Sequence, residues 1–439
     1  MEINEKFLYH IWDQRHLLPE LFTVSGKPVK IIYQGQYNTS NGPDFRHAVI
    51  NVGGETLQGD VEIHQKTYDW TAHQHQEDFA YNQTILHVVL EHKGNSAFTV
   101  REDAQEIEIL ELKNQIDGNI AKLFQDYTSN PDLQSYGLCD FGELSSDEQL
   151  IILLRENSWE RFLRKGNRFN AELQFSSFDQ LLYTGFMEAM GYDKNKFNTL
   201  SIAYHYPWEL LTKWRQEGMD AITLAAIWLN YSGLPYQNSK LLSDELKGDL
   251  EKAFELQTWS IDKAKLQWNL FRIRPANHPL RRLLQAAYVI TPLADKGFLS
   301  TLLPVFERAE LSKMNKFIRS LYDVLTPKPS NYREIGQPGL NLILTLTGNI
   351  ILPIVYLYAA KVNNPTLQNK TGEMYIRFPH LNENYITKFM RNELALPKRS
   401  SIFNSYAQQQ GLMNLYYKYC NYHLCELCLA ERQKLLQNM

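Results

Sequence analysis

The chain is poor in cysteine, with 4 among 439 residues. That is far too few for the disulfide lattice that holds small secreted domains together. Long apolar runs are also missing. The N-terminal segment MEINEKFLYHIWDQRH sets charges among its apolar residues, so it lacks the continuous apolar stretch of a signal peptide and export is not expected. The most apolar region, 340–360, is broken by Asn341, Thr345, Thr347, Gly348, Asn349 and Pro353. Such a composition suits a buried core helix better than a membrane span. There is no low-complexity tract and no excess of positive charge, with 45 basic side chains against 49 acidic ones. A uniformly basic surface is thereby excluded, although a local basic groove is not. The expectation is a cytoplasmic protein that does not enter a membrane.

What remains is an ordinary globular composition, 44% hydrophobic and 21% charged, in a chain longer than one hydrophobic core usually spans. Its periodicity changes once. Over 29–112 the segments VKIIYQG, FRHAVINVG, LQGDVEIHQKTYDW, TILHVVLEH, FTVRE and IEILEL read as short strands separated by Gly, Asn, Pro and Asp. A helix precedes them, because Phe7, Leu8, Ile11, Trp12 and Leu18 recur at helical spacing. After about residue 113 the pattern is helical, as in EQLIILLRENSWERFLRKG and LSTLLPVFERAELSKMNKFIRSLYDVL. The reading is α+β: a mixed sheet with flanking helices over 1–125, a helical domain over 145–330, and a helical C-terminal domain over 331–439 that carries a cysteine cluster.

Polar residues concentrate in the strand region. In SNGPDF, Asp44 follows Gly42 and Pro43 at a predicted strand start. In LQGDVEIHQK, strict alternation places Asp60, Glu62, His64 and Lys66 on one face and Val61 and Ile63 on the other. His73, His75, Asp69 and Asp78 follow at once, and His87 sits inside the next apolar strand. With His64 they are candidates for a metal set or an extended catalytic pocket. The plainer alternative makes His73 and His75 solvated and His87 a hydrogen-bonded core histidine.

The order helix, three strands, short irregular piece, strand, with Pro43-Asp44 opening one strand and Glu62-x-His64 on the next, resembles the PD-(D/E)XK nuclease superfamily. That resemblance implies a phosphodiesterase in which Asp44 and Glu62 hold Mg²⁺ or Mn²⁺, the metal activating water and neutralising charge on the scissile phosphate. The superfamily lysine position is occupied by His64, and Lys66 lies two residues further along the same face. Either could position the water. A histidine there offers a base or a ligand, whereas a lysine offers positive charge. GPDF, GDVEIH, DW, HQH and LHVV, continuing through RPANHPLRRLLQ and QQQGLMNLYYKYC, also resemble a bacterial family defined as a domain of unknown function.

At the other end, Cys420, Cys425 and Cys428 crowd into nine residues. The Cys-x-x-Cys pair suits chelation of Zn²⁺, with His423 or Cys139 as fourth ligand. An iron–sulfur cluster completed by Cys139, in loose likeness to RecB-like nucleases, and unliganded thiols are the alternatives. Phosphate contacts are expected from Arg161, Arg164 and Lys165 on one helix and from Arg274, Arg281 and Arg282 around Pro275 and Pro279. Against this, Glu156, Glu160 and Glu172 share the first helix, as on any solvated helix face. Three functions remain: a metal-dependent nuclease or nuclease-derived nucleic-acid processing factor, a non-catalytic scaffold that kept the fold, and a metal-dependent hydrolase of a small substrate built on Glu62, His64, His73 and His75.

Overall fold

The protein is α+β, with an N-terminal curled mixed sheet followed by a mostly helical region. The computed structural model describes residues 5–39, 41–118, 139, 146–256, 264, 266–326, 332–394, 403–422, 424, 425 and 428. These fall into two compact units rather than three consecutive blocks. One comprises Met1–Leu153 with Ile386–Arg399 and Gly411–Met439; the other comprises Leu154–Tyr385 with Ser400–Gln410. C-terminal residues belong to the first unit because they pack there: the Tyr422 ring lies 4.2 Å from that of His10. The Cys139 amide likewise donates to the Glu393 carbonyl.

In the first unit, helix α1 (Glu5–Gln14) precedes strands β1 (Leu21–Phe22), β2 (Pro28–Tyr33), β3 (Gln36–Tyr37), β4 (Phe45–Val52) and β5 (Glu55–Lys66). A short helix α2 (Asp69–Ala72) and two single 3₁₀ turns lead to β6 (Thr84–Glu91), β7 (Phe98–Val100) and β8 (Glu106–Glu111). The sheet runs β1-β2-β4-β5-β6-β8-β7, with β3 paired to β4. β4 and β5 are antiparallel, whereas β6 runs parallel to both β5 and β8. Two parallel neighbours cannot be joined by a hairpin, so the chain between β5 and β6 must cross a face of the sheet. That crossover carries His73 and His75.

β5 is interior, and from Gly59 to His64 it is buried on both faces. The alternation read from the sequence is therefore real, but its polar face looks into the protein and not into solvent. Apolar Val61 and Ile63, both 0% exposed, fill the other side. α1 lies against β5, with Phe7, Leu8, Ile11 and Trp12 buried and the Trp12 indole donating to the Gln34 carbonyl at 2.9 Å.

The second unit is built on helices with apolar faces and side-chain N-caps. Ser177, Asp220 and Ser243 cap α4 (Phe178–His205), α6 (Ala221–Tyr231) and α7 (Asp244–Glu255) by accepting amide hydrogens from the first turn. Chain order adds α3 (Asp147–Glu172) before α4 and α5 (Trp208–Gln216) after it. α8 (Pro279–Lys296) and α9 (Phe298–Arg308) follow α7 and meet at an 86° bend. The apolar stretch Leu340–Lys361 is long and apolar enough to cross a membrane. Within this unit Leu342, Ile343, Leu346, Ile350, Leu352, Ile354 and Val355 are nevertheless buried in the main core. A π-helical turn, Thr347–Ile351, interrupts it.

Gly59 shows how tightly β5 and β6 are registered. A Cβ built there would lie 2.4 Å from both the Gln83 carbonyl oxygen and Ile85 Cγ2. Gly59→Ala is expected to destabilise the first unit by about 1–3 kcal/mol through overpacking, seen as a lower urea midpoint. Gly248→Ala, on α7 with nothing within 4 Å of the added carbon, is the control and should be neutral or stabilising by up to about 1 kcal/mol.

Candidate metal and carboxylate site

Strand register brings the carboxylates together. β4 and β5 pair Phe45 with Val61 but Ala48 with Gly59, so β4 carries one extra residue between them. The bulge places His47 at φ 58°, and the Asp60 carboxylate accepts the His47 amide at 3.0 Å. Asp60 thus holds the bulge, which is a sequence signal that alternation alone could not give. The consequence is that Asp44 lies beside Glu62. The Asp44 amide donates to Glu62 Oε2 at 3.0 Å, the Ile63 amide donates to Asp44 Oδ2 at 2.9 Å, and the two side-chain carboxyls are hydrogen-bonded to each other.

Histidines close the other side of Glu62. His64 Nε2 is 3.4 Å and His75 Nε2 3.3 Å from Glu62 Oε1, and His73 Nδ1 is 3.2 Å from His64 Nε2. One ligand nitrogen from each of His64, His73 and His75 lies within 4.8 Å of the others. Gln74, between the two loop histidines, adopts a left-handed φ of 62°. That reversal matters because residues two apart in a helical turn would otherwise point away from each other. Tyr81 stacks on His75 with ring centroids 3.8 Å apart, and the buried Trp70 lies edge-on to it at 5.4 Å. Glu62, His64 and His75 are buried, and His73 is exposed at the rim.

Burial sets the protonation states. Desolvation, followed for Asp44 by the Glu62 charge, raises both carboxyls, each to about 8. Two adjoining carboxylates cannot both ionise in such a place without a cation. His64 is pushed down to about 2 and His87 to about 3, first by burial and then by neighbouring imidazoles. They stay neutral at physiological pH, the form that binds metals. Burial also lowers His75.

The residue types fit a metal ion. His75 Nε2 is buried with no hydrogen-bond partner, and neutral imidazoles with one carboxylate oxygen are a donor set for a borderline ion such as Zn²⁺ rather than for Mg²⁺. Ligands at about 2.0–2.1 Å from a tetrahedral centre are about 3.3 Å apart. Three separations, of 3.2, 3.3 and 3.4 Å, lie at that edge length, while the set in which every ligand atom lies within 4.8 Å of every other is His64, His73 and His75, with Glu62 beside it.

Of the residues anticipated from sequence, Asp44, Glu62, His64, His73 and His75 come together here. Lys66 does not join them: its Nζ is turned toward the Tyr68 hydroxyl at 3.4 Å. The position occupied by lysine in the nuclease motif therefore presents an imidazole. Two contributors from α1 were missed. Tyr9 donates its hydroxyl to Asp44, and Glu5, one turn earlier, lies close enough to Glu62 and His73 to interact electrostatically with both. Their four-residue spacing on a helix was the available signal.

The expected phosphate-binding residues divide within the second unit. Arg282 is 2% exposed and donates to Gln285, Tyr192 and Asn277. Lys165 donates to Asn349, Tyr406 and Gln410, and burial of the ammonium holds its pKa well below the usual lysine range. The polar groups of both are thus committed to the fold. Arg161 is half-buried and donates to Gln410. Arg164 and Arg281 are half-buried, and Arg274 is exposed. At the C-terminus, Cys425 is exposed, Cys428 buried, and Cys139 and Cys420 half-buried. Among the described residues the convergent set of three metal-ligand side chains is that of His64, His73 and His75. His423, the candidate fourth zinc ligand, lies outside the described residues.

Fold and site together define an α+β protein whose interior strand carries a carboxylate–imidazole cluster. The chain belongs to the family described as "Protein of unknown function (DUF2851)", which matches residues 5–384. No curated protein and no solved structure matches it.

The raised carboxyls fix the sign of a pH effect. Between about pH 7, where the unfolded histidines have already lost their protons, and about pH 8 the folded, chelator-treated protein keeps carboxyl protons that the unfolded chain has lost, so stability falls as pH rises through that window. Below about pH 6.5 the lowered His64, His75 and His87 act with the opposite sign. Thermal melts at about pH 7 and about pH 8 should show the drop, and Glu62→Gln should shrink it.

Proposed function

We propose that the first unit is a metal-dependent hydrolase acting on phosphodiesters, with the metal held by His64, His73 and His75, Glu62 beside them, and Asp44 as the adjoining proton acceptor. The observation that carries this reading is the convergence of one nitrogen each from His64, His73 and His75 within 4.8 Å of one another, beside the Glu62 carboxylate. A bound ion would lower the pKa of a coordinated water and polarise a phosphoryl oxygen. The chain's own residues would do the rest. Tyr9 and the Ile63 amide fix Asp44 by hydrogen bonds. Tyr81 and Trp70 hold the His75 ring. His73, exposed at the rim, is where substrate or solvent would reach the metal. The phosphodiester substrate class rests on the resemblance of the Asp44 and Glu62 motifs to those of nucleases. Nucleic acid would be bound by accessible arginines such as Arg164, Arg274 and Arg281, and not by Lys165 or Arg282.

A second reading is a closed, structural metal site in a non-catalytic scaffold. It is favoured by Glu62, which as a fourth protein donor would leave a tetrahedral ion no open position. The exposed position of His73 weighs against it, because solvent reaches that ligand.

Purified protein should contain Zn²⁺ or Mn²⁺ and cut DNA, RNA or a bis-aryl phosphate ester. Glu62→Gln, His64→Ala and Asp44→Asn should each slow turnover by about 100-fold or more, and Lys66→Ala by less than about 5-fold. Metal-replete wild type that raises its melting temperature with metal yet leaves every such substrate intact would establish the structural reading.

A further inference from the structure

A buried chain of hydrogen bonds runs away from the cluster. His64 Nδ1 lies 2.9 Å from His87 Nε2, and His87 Nδ1 lies 2.8 Å from the Thr99 hydroxyl. His87 is 0% exposed and Thr99 7%. The Trp70 ring lies 5.2 Å from that of His87. β6 places His87 directly opposite Glu62 in the parallel register. All three side chains are buried, so their hydrogen-bond roles must be mutually consistent.

Resting on the metal-site reading above, we infer that His87, pinned by Thr99, is a positioning residue that orients the ring of His64 and accepts the Nδ1 hydrogen of its metal-binding tautomer. If His64 Nδ1 carries the hydrogen, it donates to His87 Nε2, His87 Nδ1–H donates to the Thr99 oxygen, and the His64 Nε2 lone pair faces Glu62, His73 and His75. The opposite assignment puts a hydrogen on His64 Nε2, which would block coordination there. Threonine tolerates either direction because its hydroxyl both donates and accepts. The His87 imidazole is therefore the group that allows His64 to be a ligand while keeping its other nitrogen satisfied, as outer partners of metal-bound histidines generally do. An apolar residue at 87 would leave His64 Nδ1 buried without a partner. The strand pattern alone would favour Val, Ile or Leu at that position, between Leu86 and Val88.

The test uses the full chain, stripped by chelation and titrated with Co²⁺ alone, following the visible d–d bands. Wild type should bind with bands of tetrahedral intensity. His87→Leu should raise the Co²⁺ dissociation constant about 10- to 100-fold and weaken or shift the bands. His87→Gln, which restores an oxygen near the Nε2 position, should recover a substantial part of that loss. Thr99→Val keeps shape while removing the hydroxyl and should cost a few-fold, a readout that survives if His87→Leu does not fold. Unchanged Co²⁺ affinity and spectrum in His87→Leu, or in a folded Thr99→Val when His87→Leu fails to fold, would overturn the inference while leaving the metal site standing. Absence of Co²⁺ binding in wild type would overturn the metal-site reading itself, and this inference with it.

Discussion

Everything in the first unit depends on burying the polar face of β5. An interior strand with apolar residues on one side and Glu62 and His64 on the other has no water available to solvate the second face. Each polar atom must find a partner inside the protein or bear a penalty of several kcal/mol per ion. The surrounding elements answer that demand: Asp44 from the position just before β4, Tyr9 and Glu5 from α1, His73 and His75 from the crossover, and His87 from β6. The β4–β5 pairing that sets Asp44 beside Glu62 contains a bulge whose His47 amide is held by Asp60. A structure seeking only stability would replace this set with aliphatic side chains.

The same economy governs charge in the helical unit, with a different outcome. Arg168 bonds Glu172 four residues on and Glu188 on the next helix. Arg282 closes onto Tyr192 at the kink of α4, where Tyr192 holds a φ of 51°. Lys165 lies beside the π-helical turn and donates to Asn349 within it. Here cations stitch helices together, with their ammonium or guanidinium groups bonded within the fold. Basic residues on a helix are thus no guide to a nucleic-acid surface until their partners are known.

The architecture was largely legible because periodicity is a local property. The alternation in LQGDVEIHQK, the apolar run in TILHVVLE and the helical spacing in EQLIILLRENSWERFLRKG each report the type of element from side-chain period. Asp44 and Glu62 could be paired from strand order, and His73 and His75 from their proximity in sequence. Tyr9, Glu5 and Thr99 could not be assigned, because each reaches the site from a strand or helix whose own pattern is ordinary. The division into two units was equally hidden, since it depends on which distant segments pack against one another.

The sequence by itself determined that there is a strand region followed by helices, that β5 has a polar and an apolar face, and that acids and histidines cluster in one short stretch. Those features follow from side-chain period and local composition, which need no knowledge of neighbours. Only the tertiary structure decided that the polar face is internal, that His64 rather than Lys66 meets Glu62, that Asp60 serves a bulge, and that Lys165 and Arg282 are turned inward. Each of those outcomes depends on register and burial, which are set by packing between segments far apart in the chain.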